Sequence, residues 1–129
     1  MAQPMIVPVA KAIYLCDGSI GFATQKTDLM GLFNSIRPPS YPHTHTTLVV
    51  FAQLNGGLGE MPFYVDIRYA PTDELLFTTK PQMLRFPNRN RVVQFAYSIK
   101  QCRFPQRGMY LVELFSRGIW VADTTLELL

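Results

Sequence analysis

Residues Pro62–Tyr69 read PFYVDIRY, and the alternation in this stretch decides the fold class. On an extended chain Phe63, Val65, Ile67 and Tyr69 fall on one side and Asp66 and Arg68 on the other, the mark of a strand with one buried face. The same two-residue period recurs on either side, and no stretch holds a 3.6-residue apolar period with a cap at each end. Strands are expected near 8–16, 27–36, 46–55, 62–70, 75–79 with 82–86, 91–101, 108–116 and 119–128. Clusters such as Asp17-Gly18-Ser19, Arg37–Pro42 (RPPSYP), Asn55–Gly59 (NGGLG) and Pro87–Asn90 (PNRN) punctuate them with the residues that turns require.

TLVVFAQL and MYLVELF are apolar at consecutive positions and read as central strands. With short connections and no helix to carry a parallel crossover, the expected architecture is all-β: a single-domain antiparallel β-sandwich of about eight strands over residues 1–129, Ig-like or jelly-roll-like. A small closed β-barrel is the alternative. NGGLGE reads as a hairpin turn, and the strand after Asn90 as joined by hairpins at both ends. RPPSYP is a candidate crossing between sheets, stiffened by its prolines.

The chain has 129 residues, 48% hydrophobic and 16% charged, a globular composition of single-domain size. Its N-terminal stretch lacks a basic region, Pro4, Pro8 and Lys11 interrupt its apolar residues, and no apolar run approaches a membrane span. The expectation is a cytoplasmic protein with no membrane contact, in which Cys16 and Cys102 stay reduced.

RFPNRNRVVQFAYSIKQCRFP, Arg85–Pro105, begins and ends with Arg-Phe-Pro. A strand of about ten residues rises roughly 33 Å, so the two copies belong to opposite poles and cannot form one compact site. Nor are they a duplication, since the residues after each copy share only an arginine and general apolarity. Phe anchors, Pro ends the strand and Arg stays in water. From Leu75 to Val112 there are seven basic residues and no acidic one, while the rest of the chain carries five basic and nine acidic. Arg85, Arg89, Arg91 and Arg117 are expected at one pole, and Lys80, Lys100, Arg103 and Arg107 at the other. Forked guanidinium groups suit carboxylate or phosphate partners, so an acidic surface is a candidate partner. The absence of a contiguous basic groove with exposed aromatics argues against nucleic acid.

Other chemistry is sparse. His43 and His45, at i and i+2, share one side of an extended chain, but no nearby residue completes a metal set. NGGLGE lacks the Lys-Ser/Thr ending of a phosphate loop. Lys100 and Arg103 flank Cys102 and would lower its pKa, though its place at a strand end reads as structural. No carboxylate pair suggests glycosidase chemistry. Trp120 could stack on sugar or protein if exposed; core packing is its default reading. No catalytic residue and no cofactor are expected.

AIYLCDGSI, LMGLFNSIRPP, VFAQLNGGLGE, LRFPNRNRVVQF and CRFPQRGMYLVELF together resemble a family of small stand-alone bacterial β-sandwich proteins of unknown function, from about Ala12 to Leu114. The shared features are Tyr14-Leu15-Cys16 opening a strand, Gly31-Leu32-Phe33 in the second strand and Phe-Pro at strand ends. The resemblance implies a bacterial or phage-borne origin, a cytoplasmic location and a sandwich fold, and it transfers no site. The functional expectation is a non-enzymatic sandwich working by protein–protein contact, as a homo-oligomer or a subunit of a larger assembly. The alternative is a module binding carbohydrate or an acidic small molecule through Trp120 or the arginine loops, and an enzyme with an unrecognised site stands third.

Overall fold

The computed structural model describes residues 4–21 and 26–129. Among these residues the chain forms eleven strands: β1 (Val9–Cys16), β2 (Gly18–Gly21), β3 (Thr27–Met30), β4 (Ser35–Ile36), β5 (His43–Asn55), β6 (Gly59–Tyr69), β7 (Glu74–Thr78), β8 (Gln82–Phe86), β9 (Val93–Phe104), β10 (Gly108–Ser116) and β11 (Ile119–Leu128). One sheet has the order β1-β5-β9. The other runs β4-β11-β10-β6-β7, with β8 also paired to β6. All pairs are antiparallel except the short β4–β11 contact. The two sheets stay open, so the fold is an antiparallel sandwich and not the closed barrel.

The core lies between the sheets. Leu48, Val50, Ala52 and Leu54 of β5 meet Phe63, Val65 and Ile67 of β6 and Tyr110, Val112 and Leu114 of β10 in one apolar cluster. The alternation in PFYVDIRY holds: Phe63, Val65 and Ile67 are buried to the last per cent. On the opposite side Arg68 lies 3.1 Å from Glu113 and 3.7 Å from Asp66. Asp66 and Glu113 face each other across β6 and β10, a carboxylate pair that distant sequence positions hid and that the one guanidinium of Arg68 bridges.

Val49, Phe51 and Cys16 are also buried, yet stand outside that cluster. They occupy the outer face of the three-stranded sheet, against which the β2–β3 hairpin lies, its Thr27 hydroxyl donating to the Gln94 amide oxygen Oε1 at 2.5 Å. This explains the consecutive apolar run of TLVVFAQL: β5 is central in its sheet and covered on both faces. The strand expected over 27–36 is broken into β3 and β4 at Gly31, whose φ of 68° no extended strand accepts. Asp17-Gly18-Ser19, read as a turn, instead leads into β2.

The strand connections depart from the hairpins expected. β5 and β6 lie in different sheets, so NGGLG is an arch between sheets. Gly57 lets it pass: a Cβ there would sit 2.9 Å from the Phe86 ring and 3.0 Å from Pro8. β9 likewise has an arch at each end, since β8 and β10 both belong to the opposite sheet. Each Arg-Phe-Pro copy marks such a departure. Phe86 and Phe104 are buried in the core, Pro87 and Pro105 stand at the exposed bends, and Arg85 and Arg103 point to solvent. RPPSYP does cross between the sheets, from β4 to β5.

Candidate functional site

Two surfaces combine exposed chemistry with a concave shape. The first is the open flank where β1 and β11 run side by side. Beyond β11 the short β4 pairs only with Glu127 and Leu128, and the Asn34 side chain donates to the Thr125 carbonyl at 3.0 Å. Among the described residues nothing pairs with Ile119–Asp123 on the side away from β10, nor with Val9–Ile13 on the side away from β5. Between these two unpaired edges lies a cleft of about 410 Å³. Both edges carry an irregularity there, β1 at Lys11 and β11 at Val121.

Trp120 stands on the rim of this cleft and is 53% exposed, so the default reading of a core tryptophan is overturned. The register shift between Leu114 and Phe115 is the cause. It lets Val121 and Ala122 both turn inward and leaves Ile119 and Trp120 outside. The indole is held: its Nε1–H donates to Asp123 Oδ2 at 3.2 Å. Val9, 63% exposed, and Ile119 extend the apolar rim.

The second surface is a cleft of about 580 Å³ at the pole where β8 passes to β9. Arg85 and Arg91 line it together, joined by Lys26, which the sequence reading did not select. Lys26 lies some sixty residues away along the chain, and only the packing of the β2–β3 hairpin on the outer face of the sheet brings it here. Thr27 and Gln94, bonded to one another, form the polar floor. Arg89 and Arg117 are engaged elsewhere about this end. Arg89 Nε donates to the Gly56 carbonyl at 3.0 Å, and Arg117 Nη1 lies 3.9 Å from the Met5 sulfur.

The remaining cations do not form a second cluster. Lys100 donates to the Thr47 hydroxyl at 3.2 Å on the face of the sheet, and Arg103 lies opposite Thr44 on the same pair of strands. Lys80 is exposed beside the bend between β7 and β8. Arg107 lines a separate cleft with Arg37 and Glu127, and its carbonyl accepts from the Tyr69 hydroxyl at 3.1 Å. The cleft at this end therefore mixes two arginines with a carboxylate.

His43 and His45 do share a side, with ring centroids 5.9 Å apart. His45 Nε2 lies 3.4 Å from Asp17 Oδ1, while His43 Nε2 is buried without a hydrogen-bond partner. Among the described residues no three His, Cys, Asp or Glu side chains come together as a metal set. Burial pushes the Cys102 thiol up to about 11 and raises Cys16 as well. Lys100 and Arg103 therefore do not activate Cys102: the thiol points into the core and their charges point to water. Among the described residues no helix is long and apolar enough to cross a membrane.

No curated protein matches the chain. Among solved structures, it is similar to the Pseudomonas fluorescens alkylpurine DNA glycosylase AlkC bound to DNA containing an abasic site analog, with 14% identity and a TM-score of 0.46. The likeness covers 74% of this chain and only 27% of that one. The expectation that set nucleic acid aside is at odds with the name of this neighbour, which is bound to DNA. That expectation rested on the absence of a contiguous basic groove with exposed aromatics; Lys26, Arg85 and Arg91 do share one cleft, while no aromatic side chain lines it among the described residues. At this TM-score the likeness carries no argument about what the present chain binds. A family match runs over residues 11–129, and the chain belongs to the family of unknown function DUF6941.

Proposed function

We propose that the protein is a non-enzymatic sandwich that works by protein–protein contact, joining a second copy of itself through the β1–β11 flank. The observation that carries this reading is the exposed, pre-positioned Trp120 between two unpaired strand edges. Unpaired edges present rows of N–H and C=O groups that another strand can satisfy. A rigid tryptophan supplies a large apolar contact at low entropic cost. The flank is also self-complementary in charge: it carries Lys11 on one edge and Asp123 on the other, so a two-fold contact sets each against its opposite in the second copy. The free, buried thiols support work in a reducing compartment, the cytoplasm.

Sedimentation equilibrium of the full chain over a wide concentration range tests the proposal. The expected result is a dimer that Trp120→Glu converts to a monomer without lowering the melting temperature. A wild-type chain that stays monomeric throughout, or a Trp120→Glu dimer as tight as wild type, would overturn it.

A further inference from the structure

We infer that the cleft lined by Lys26, Arg85 and Arg91 is a binding site for a phosphoryl-bearing ligand of about mononucleotide size. Three cations from two separate chain segments, Lys26 before β3 and Arg85 and Arg91 on the passage from β8 to β9, line it, and among the described residues its lining includes no acidic one. Among the described residues none of the three is held in an ion pair. Like charges gathered without a counter-charge repel, and a multivalent anion relieves that cost where a monocarboxylate relieves only part. Two arginines present forked donors that match phosphoryl oxygens, and the lysine adds a point charge.

The floor and walls define the rest of the ligand. The Thr27 hydroxyl donates to Gln94 Oε1, which leaves the Gln94 amide NH2 as the donor for a ligand, and Val92 and Val93 give an apolar wall. The volume of about 580 Å³ falls within the usual range of small-molecule sites, about 300–1,000 Å³. Glu60 is the acidic residue that bears on the cleft from its margin. It lies opposite Arg85 in the β6–β8 register without forming an ion pair. Its charge competes with the ligand, so its removal should tighten binding.

The other end of the molecule makes the contrast. There Arg37 and Arg107 share a cleft whose lining includes the carboxylate of Glu127. Anion binding therefore belongs to the β8–β9 pole.

Isothermal titration of the full chain with inorganic pyrophosphate, adenosine monophosphate and a 5′-phosphorylated single-stranded oligonucleotide tests the inference, with succinate as the carboxylate control. Pyrophosphate and adenosine monophosphate should bind, and succinate should bind far more weakly. Arg85→Ala and Arg91→Ala should each weaken binding roughly tenfold or more, with melting temperatures unchanged since both side chains are exposed. Glu60→Gln should strengthen it. An oligonucleotide that binds more tightly than adenosine monophosphate, and loses affinity in the same variants, identifies a nucleic-acid end as the source of the phosphoryl group. An oligonucleotide no tighter than adenosine monophosphate identifies a free small molecule. Failure of all three phosphoryl probes to bind, succinate binding as tightly as pyrophosphate, or full binding by the Arg85→Ala/Arg91→Ala double variant would each overturn the site.

Discussion

Cys102 illustrates how burial overrides neighbours in sequence. Lys100 and Arg103 flank it, yet burial holds its thiol at about 11. At about pH 8 only about one such thiol in a thousand is ionised, and the thiolate is the reactive form. Native protein should resist iodoacetamide while urea-unfolded protein is alkylated at both cysteines, with mass spectrometry reading the adducts. Rapid labelling of the native chain would show that the thiol is not enclosed. His43 is the second residue whose setting has a measurable consequence. Burial, followed by the charge of His45, holds its imidazole below the ordinary value of 6.5. The unfolded chain then takes up a proton near 6.5 that the folded chain resists. Stability is full above that value, falls as the pH drops below it, and levels off once the folded pKa is passed. Urea midpoints measured from about pH 7.5 to about pH 5 should decline in wild type and decline less in His43→Asn. Trp120 marks the limit of what sequence conveys at this scale. GIWVADTT contains a strand, but the extra residue that turns Val121 and Ala122 both inward depends on the pairing with β10, and a single segment carries no sign of its partner's register.

Strand β9 is where local conformation and packing meet most sharply. Ile99 is buried and Lys100 exposed, yet after Gln101 the buried positions become Cys102 and Phe104. Gln101 makes this change of face with a φ of 53°, a conformation that costs a side-chain-bearing residue roughly 1 kcal/mol. Gln101→Gly should hold or raise stability by up to about 1 kcal/mol, and Gln101→Val, branched at Cβ, should lower it by roughly 1–2 kcal/mol. Urea denaturation of the two variants checks the ordering, and a Val variant as stable as the Gly variant would contradict it. The elements that were legible are those with strong alternation or a run of apolar residues. PFYVDIRY and TLVVFAQL became β6 and β5 with the faces that their patterns require, and MYLVELF became the central strand β10, fully buried at alternate positions only. β2 escaped notice because Gly18, Ser19 and Gly21 have little strand preference of their own. It is held as a strand by its pairing with β3. The arches escaped for a different reason: a Gly- or Pro-rich connection reads alike whether it returns to the same sheet or crosses to the other. Phe86 against Gly57 decides that here, and it is a contact between distant segments.

Across the whole molecule, the division of charge was visible in the sequence as a basic stretch from Leu75 to Val112. Its full division between ends was not, because Glu127 joins Arg107 in one cleft and Lys26 joins Arg85 and Arg91 in the other. The result is two surfaces of opposite character on one sandwich. The β1–β11 flank is apolar, with one cation and one anion, and the contact proposed for it rests on unpaired strand edges and a tryptophan. The β8–β9 cleft is lined by three cations, a polar floor and a short apolar wall. Raising salt from about 0.1 M to about 1 M shortens the screening length from about 10 Å to about 3 Å. It weakens attraction between exposed charges but leaves the burial of apolar surface intact or stronger. The dimer constant from sedimentation should therefore hold or tighten over that range, while pyrophosphate affinity from titration should fall by at least tenfold. Trp120→Glu should abolish the first without touching the second, and Arg91→Ala the reverse. Parallel loss of both properties with salt, or in either variant, would mean that one surface performs both roles and that the division drawn here between flank and pole is wrong.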